Sequence, residues 1–290
     1  MPSRTFSRAV CGVSLTLFSF LAGRADAASG CVWKVSAPGG GTLFIGGSVH
    51  ALRSVDYPLP PAYNRAFEAS THVALEVDPK ALTAASNGLL KAGEYPAHDS
   101  LKNHVDPRTY DYLRRVFGLL KISEQKFSRY RPWMIVLMLE SPTTRGLSDD
   151  LGVDQFITNR AQANGKPIVG LESASEHSSV FVGLSDRQSE ALLLVSFIPQ
   201  NTKGGGDIVT SAWRRGDVDT LARSMHESYA DFPAFADRIL GARNRRWIPK
   251  LEGYLKSGHT YFAVVGAAHL GGSDGLLALL RARGYKVEQV

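Results

Sequence analysis

Two histidines follow apolar segments of this sequence in the same way. In TLFIGGSVH, a short apolar run is followed by Gly47 and, three residues later, by His50. In TYFAVVGAAH, a similar run is followed by Gly266 and, three residues later, by His269. An imidazole can bind a divalent transition metal, and it can also move protons near neutral pH. The repeated Gly-x-x-His spacing therefore predicts that both histidines serve one site.

Acidic residues interrupt or follow two other apolar segments. Glu76 lies inside HVALEVD, and Glu172 directly follows KPIVGL. A carboxylate within an apolar strand is costly unless it is paired with a cation or bound to a metal. Imidazoles with carboxylates suit zinc, manganese, iron or cobalt, and they also suit acid–base catalysis without a metal. The candidate metal ligands are His50, His269, Glu76 and Glu172, and both glutamates are also candidate catalytic residues.

Several of these residues have simpler interpretations. Glu172 could cap the following helix, Asp78 could start a turn, and Asp154 is most simply a residue in the first turn of a helix. The other histidines lack a partner at a useful spacing and are treated as incidental: His72, His98, His104, His177, His226 and His259.

An arginine and an asparagine stand together in a helical segment before the second histidine motif. Arg243 and Asn244, in ARNRRW, could hold a substrate carbonyl or carboxylate, which makes them further candidate catalytic residues. The simpler interpretation is a solvated basic face, with Trp247 covering the core.

The apolar runs and turn residues predict the elements that position these side chains. Residues 80–165 are mostly helical by pattern, and residues 173–258 contain about five further helical segments. Strands are predicted over residues 32–36, 42–47, 73–77, 166–171, 260–265 and 285–290. The fold class is therefore α/β (α+β), a mixed central sheet with helices around it and a helical cap. Ligands collect at the carboxyl ends of strands in such sheets, where the candidate residues stand.

The two ends of the chain share one order of elements. Residues 42–78 and residues 260–290 each run strand, glycine–histidine turn, helix and strand. We therefore expect the sheet to be built from two related half-units that direct their histidines into a shared cleft.

Residues 1–27 have the pattern of a secretory signal peptide. Two arginines precede a short apolar run, and Ala25-Asp26-Ala27 forms an A-x-A cleavage pattern. We expect residues 28–290 to form a single domain in which the helical segment 80–165 is the cap, and we expect a periplasmic or secreted protein.

Cys31 is the one cysteine that remains without the signal peptide, so no internal disulfide can form. The segment that ends at Cys31, ASGC, resembles a bacterial lipobox, although the usual leucine at its first position is absent. A lipid anchor through Cys31 is therefore the alternative, and contact with a membrane is expected only in that case.

The charge of the chain disfavours one class of partner. Residues 1–27 carry a net charge of +2, so the mature chain keeps about +4 of the formal +6. Apart from Arg243, Arg245 and Arg246, the basic residues are scattered, and no aromatic residues interleave with a basic stripe. Nucleic acid is therefore not an expected partner.

Four segments, in order along the mature chain, resemble the TraB/GumN family: GGSVHALRSVDYPLPPAYNRAFEASTHVALEVD, GVDQFITNRAQANGKPIVGLES, RNRRW and FAVVGAAHLGGSDGLLALLRARGYKVEQV. Residues 80–165 match the pattern of the family least. This family is similar to the Wnt-cleaving TIKI metalloproteases and is grouped with erythromycin esterases and ChaN-like haem-binding proteins. The resemblance implies a sheet of two related halves, paired Gly-x-x-His motifs with Glu76 between them, and Glu172 and Arg243-Asn244 as further family positions. It also implies a divalent metal, with manganese, cobalt or zinc as candidates.

Three hypotheses of function are compatible with these residues. The first is a metal-dependent hydrolase of peptides or small molecules, in which His50, His269 and one or both glutamates hold the metal. A glutamate that is not a ligand would then be the general base, and Arg243 would stabilise the oxyanion. The second is a ChaN-like periplasmic protein that binds haem, a metal or a small ligand without turnover. The third is a metal-free, esterase-like hydrolase with a histidine as base, in which Ser48 is a poor nucleophile candidate because a Gly-x-Ser-x-Gly elbow is absent.

Overall fold

A mixed sheet lies at the centre of the chain. The computed structural model describes residues 30–139, 147–197 and 205–290, so the predicted signal peptide lies outside the described residues. Within these ranges the strands are β1 (Val32–Ser36), β2 (Thr42–Ser48), β3 (His72–Val77), β4 (Ile168–Glu172), β5 (Tyr261–Gly266) and β6 (Lys286–Gln289). They form one sheet in the order β4-β3-β5-β2-β1-β6.

The strand directions confirm the predicted mixed sheet. Strands β4, β3, β5 and β2 are parallel to one another, whereas β1 is antiparallel to both β2 and β6. Five consecutive residues of β5 are buried, as expected for a central strand that is covered on both faces. The edge strand β6 is mostly exposed and carries Lys286 and Glu288, charged residues that oppose pairing with another chain.

Helices fill every connection between the described strands except the turn from β1 to β2, which confirms the α/β class. In the described residues they are α1 (Pro61–Ala69), α2 (Pro79–Gly93), α3 (Pro107–Leu119), α4 (Glu124–Phe127), α5 (Pro132–Leu139), α6 (Val153–Ala163), α7 (Ala174–Val182), α8 (Asp186–Ser196), α9 (Gly205–Arg215), α10 (Val218–Ser228), α11 (Pro233–Ile239), α12 (Gly241–Lys256) and α13 (Leu276–Arg281). Among these helices, none combines the length and the apolar character that crossing a membrane requires.

The two half-units expected from the sequence are interleaved in the sheet. One runs from β2 through α1 to β3, and the other runs from β5 through a short 3₁₀ turn and α13 to β6. Strands β2 and β5 are parallel neighbours, so each half-unit places its first strand beside the first strand of the other. The carboxyl ends of β2, β3, β4 and β5 consequently lie along one edge of the sheet.

The described residues form two hydrophobic cores. One surrounds the sheet and includes Phe262, and the other lies among the helices and includes Trp133 and Leu193. Although α6 falls within the predicted cap segment 80–165, its Ile157 packs in the core of the sheet. Helices α7, α8 and α11 contribute to the second core, so the helical cap draws on residues well beyond position 165.

Candidate functional site

The structure brings five of the six predicted site residues together at the carboxyl edge of the sheet. Glu76 lies in β3, Glu172 ends β4, and His269 closes the 3₁₀ turn that follows β5. Arg243 and Asn244 reach these residues from the first turns of α12. The sixth residue is the first histidine of the repeated motif, and it lies at the rim of this group.

The guanidinium of Arg243 is the centre of the buried group. Its Nη2 donates to Glu76 Oε2 and to Glu172 Oε1, each at 2.5 Å, and its Nε donates to Glu172 Oε1 at 3.0 Å. Its Nη1 donates to the carbonyl of Ile239 at 3.3 Å and to His269 Nε2 at 3.2 Å. All five guanidinium N–H groups therefore have an acceptor within the protein, and the side chain is not part of a solvated basic face.

The positive charge of Arg243 and the negative charges of Glu76 and Glu172 stabilise one another. Burial alone would raise the pKa of Glu76, but the charge of Arg243, together with His269 and the Gly266 N–H group at 2.7 Å, holds it well below its usual range. Burial likewise opposes ionisation of Glu172, and hydrogen bonds from His177 and Arg243 lower its pKa. Both carboxyl groups are thus ionised at neutral pH, with Arg243 between them as the counter-ion.

A side-chain amide fixes the ring of His269. His269 Nδ1 donates to Asn244 Oδ1 at 2.7 Å, and Asn244 Nδ2 donates to the carbonyls of His269 and Asp274. We assign the tautomer from this bond, which leaves the Nε2 lone pair facing Arg243, with Glu76 Oε1 at 3.9 Å. Burial lowers the pKa of His269 to about 4, and the charge of Arg243 adds to this effect while Glu76 opposes it. The imidazole is therefore neutral at pH 7.

The first motif places His50 in different surroundings. Its side chain is 75% exposed, and its Nδ1 lies 3.3 Å from Asp154 Oδ2. The hydrogen bond to Asp154 raises the pKa of His50 to about 9 against the effect of desolvation, and the nearby charges of Asp154, Glu76 and Asp149 add to the increase. His50 is thus a cation at the rim, close enough to influence the pKa values of Glu76 and His269 without a hydrogen bond to either.

The strand register explains why the two motifs differ. Ser48 pairs with Gly266, so the second glycine motif is offset by one residue from the first, in which Gly47 pairs with Val265. A Cβ atom on Gly47 would lie 2.4 Å from Cys31 Sγ and 2.9 Å from the Cβ of Ala267. The first glycine therefore permits close packing between strands. The second, Gly266, donates its N–H to Glu76.

The structure adds His177, which the sequence interpretation treated as incidental. His177 Nδ1 lies 2.8 Å from Glu172 Oε1, and its side chain is 34% exposed. The sequence contains one signal that could have indicated His177, because this residue stands five residues after Glu172, near the start of the helix that follows the strand. The helix itself is capped by Ser173 and Glu176, so Glu172 is not its cap.

Two other acidic residues serve helices, which the simpler interpretation predicted for Asp154, whereas it placed Asp78 at the start of a turn. The carboxylate of Asp78 caps α2 by accepting from the N–H of Lys80. Asp154 lies in the first turn of α6, but it also contacts His50 through one oxygen. Its other oxygen, Oδ1, is buried without a hydrogen-bond partner among the described residues.

Among the described residues, one group of possible metal donors emerges from this arrangement. Atoms of Glu76, Glu172 and His177 lie within 4.8 Å of one another. The guanidinium of Arg243 stands between the two carboxylates, however, and Glu172 Oε2 also accepts from Trp247 Nε1 at 3.1 Å. The position between the two glutamates is therefore already held by a cation of the protein itself.

Nearly the whole described chain is similar to known proteins. The model of the TraB/PrgY/gumN family matches residues 31–289. The uncharacterized protein YbaP of Escherichia coli (strain K12) is 24% identical over 255 residues, which cover 85% of this chain and 90% of YbaP. Uncharacterized protein YbaP of Shigella flexneri matches with the same identity and coverage. The span matched by the family model contains both Gly-x-x-His motifs and every candidate site residue.

Proposed function

Because this chain belongs to the TraB/PrgY/gumN family, we propose that it is a metal-dependent hydrolase that acts on an acyl bond in a peptide or a small molecule. The observation that carries the proposal is the pair formed by His269 and Glu76. A buried, uncharged imidazole presents Nε2 at 3.9 Å from an oxygen of an ionised carboxylate. Metal-binding histidines typically use their other ring nitrogen as His269 uses Nδ1, in a hydrogen bond to an oxygen acceptor.

The donor atoms on this side of the site fit a divalent ion. His269 offers an uncharged ring nitrogen and Glu76 an ionised oxygen, and the buried Oδ1 of Asp154 lacks a hydrogen-bond partner among the described residues. His269 and Glu76 would hold the ion, with His50 and Asp154 at the rim. Glu172 is assigned no metal, because both of its oxygens are held by Arg243, His177 and Trp247, whereas an ion held by His269 would displace only the 3.2 Å contact from Arg243 Nη1. A mixed imidazole and carboxylate set suits manganese, cobalt or zinc.

The residues of the chain have distinct roles in this proposal. A bound divalent ion would supply Lewis acidity, which polarises a carbonyl and favours ionisation of water. Asn244 keeps Nε2 of His269 free of a proton, and Arg243 positions both carboxylates. Because every N–H of Arg243 is already bonded within the protein, this arrangement supports a positioning role for Arg243 rather than stabilisation of an oxyanion.

Metal affinity and activity test the proposal together. We expect the purified protein to bind manganese, cobalt or zinc, and to cleave members of a peptide and ester panel only when the ion is present. His269→Gln should lose the ion, and Asn244→Ala should bind it roughly 10- to 100-fold more weakly. The control is His98→Gln, at an exposed histidine of the cap, and it should bind the ion like the original chain. If the original chain and His269→Gln both bind a negligible amount of metal, the proposed metal site is rejected.

A metal-free hydrolase is the second candidate, and one observation favours it. Arg243 already supplies a cation between the two glutamates, beside the neutral imidazole of His269, so a base and a positive charge are both present. Cleavage that continues in the presence of a strong chelator would select this candidate. The haem-binding alternative gains no such support, because the side chain of His269 is only 5% exposed.

We also propose that the chain is exported without a lipid anchor. The signal-peptide pattern over residues 1–27 supports export, although it lies outside the described residues. Cys31 is fully buried beside Gly47, and burial raises the pKa of its thiol. Cys31 would therefore have to leave the core before it could carry a lipid. Mass spectrometry of the chain expressed with its N-terminus should show cleavage and no added acyl group; an acyl mass on Cys31 would contradict the proposal.

A further inference from the structure

We propose that His177 is a further catalytic residue, a proton carrier that Glu172 orients at the opening of the site; this rests on the proposed hydrolase function. His177 stands beside both glutamates, since donor atoms of Glu76, Glu172 and His177 all lie within 4.8 Å of one another. Its side chain is partly exposed, whereas Glu172 is buried. His177 can therefore meet both the buried group and a substrate that enters from solvent.

The hydrogen bonds around His177 determine which ring nitrogen is available. Nδ1 lies 2.8 Å from Glu172 Oε1 and 3.2 Å from Arg243 Nη2. Both hydrogens of Arg243 Nη2 are directed at the carboxylates of Glu76 and Glu172, each at 2.5 Å. We therefore assign the proton to His177 Nδ1, which donates to Glu172. Nε2 then has its lone pair available, and it has no hydrogen-bond partner in the part of the chain that the structure describes.

A carboxylate bound to Nδ1 is the arrangement that holds a catalytic imidazole in one tautomer and one orientation. Three histidines of this site share it in outline, because His50, His177 and His269 each direct Nδ1 at a side-chain oxygen. The surroundings of Nε2 distinguish His177 from His269. His269 is enclosed by Arg243 and Glu76 and suits a ligand. His177 is held by a carboxylate and has an open Nε2, which suits proton transfer.

The proposed proton transfer balances without a further reactant. As the oxygen of a water molecule bonds to the acyl carbon, His177 Nε2 takes one proton from that water. As the bond between the acyl carbon and the leaving nitrogen or oxygen breaks, the same proton passes to the leaving atom. The imidazole returns to its starting form, and no electron is gained or lost. A positioned acid–base group of this kind contributes typically 10²- to 10⁴-fold to a rate.

Three variants test the role of His177 on the metal-loaded protein. His177→Gln keeps an N–H group for Glu172 but cannot carry the proton, so we expect kcat to fall by roughly 10²-fold or more. We expect KM to change by less than about threefold, because substrate binding is retained, and we expect metal content to equal that of the original chain. In His177→Ala, added imidazole should restore part of the lost rate. The control His98→Gln should keep the original kcat.

Each other outcome has a definite meaning. If His177→Gln keeps the original kcat, or if imidazole gives no recovery in a folded His177→Ala, His177 carries no proton. If His177→Gln loses the metal, His177 is a ligand and the proposal is overturned. These results leave the hydrolase function standing, because the original chain is active in all of them. An original chain that cleaves nothing in the panel with metal present would instead reject the hydrolase function, and the role of His177 with it.

Discussion

At the scale of single residues, Arg243 decides whether this site can exist. The carboxylates of Glu76 and Glu172 would repel one another and one of them would take up a proton, and the guanidinium between them prevents both effects. A cation–π contact also stabilises the guanidinium, since Cζ of Arg243 lies 4.6 Å from the ring centroid of Trp247. Lysine could not replace it, because an ammonium group has three donors and lacks the planar fork that Glu76 and Glu172 share.

Removal of Arg243 should therefore cost far more than removal of its exposed neighbour. In Arg243→Met, Glu76 and Glu172 lose their buried cation, and we expect the free energy of unfolding to fall by roughly 3–5 kcal/mol. Arg245 on the same helix pairs with Asp237 at 2.8 Å, but both side chains are more than half exposed. Arg245→Met should thus cost less than about 1 kcal/mol. Urea unfolding of both variants at neutral pH measures the two losses, and equal losses would show that Arg243 is not a structural cation.

At the scale of elements, a one-residue offset between two strands divides the roles of the two motifs. Gly266 of the second motif pairs with Ser48, so Gly47 of the first motif lies one residue before the position that would align the two glycines. The second motif then continues in a 3₁₀ turn and His269 is buried, whereas His50 is exposed and contacts α6. Two identical spacings in the sequence therefore produce one enclosed neutral imidazole and one cation at the rim.

This offset also marks how far the sequence could predict the site. The strands were readable because continuous apolar runs such as that of β5 are typical of central parallel strands. Parallel strands end at one edge, so the convergence of Glu76, Glu172 and His269 was predictable as well. The register between β2 and β5 was not predictable, because both glycine motifs allow several pairings. His177 was overlooked because its contact with Glu172 depends on where α7 begins. The burial of Arg243 was not predictable either, because it depends on Glu76 and Glu172, which lie far away in the chain.

At the scale of the whole molecule, α7 joins the site to the helical cap. It begins at Ala174, two residues after Glu172, and carries His177 beside the buried ion group, while its Val180 packs in the second hydrophobic core. Helix α8 comes next and contributes Leu193 to the same core. The packing of the cap consequently helps to set the position of α7, and through α7 that of His177.

A histidine in the cap should make this packing sensitive to pH. His104 Nε2 lies 2.6 Å from Asp99 Oδ2 and its Nδ1 lies 2.7 Å from Asp186 Oδ2, so the charged imidazole links the segment before α3 to the first residue of α8. The ring also stacks on Tyr95 at 4.3 Å, and Arg131 lies 3.9 Å from Asp186. Both ring nitrogens can donate only in the protonated form. Burial alone would lower the pKa of His104, but the two hydrogen bonds raise it above its ordinary value.

Because the folded state has the higher pKa, the stabilisation by His104 is complete below the unfolded pKa, about 6.5. It is lost as pH rises through the folded pKa. In acid the bond to Asp99 persists, because hydrogen bonds from Asn103 and His104 lower the pKa of Asp99 to about 2. Urea unfolding of the original chain and of His104→Gln measures this contribution. We expect a difference of roughly 1–3 kcal/mol at about pH 5.5 and a clearly smaller one at about pH 9. His98→Gln, at an exposed cap histidine, should show no such trend. A difference for His104→Gln that is constant, or larger in alkali, would mean that the ring acts through stacking on Tyr95 and not through its charge.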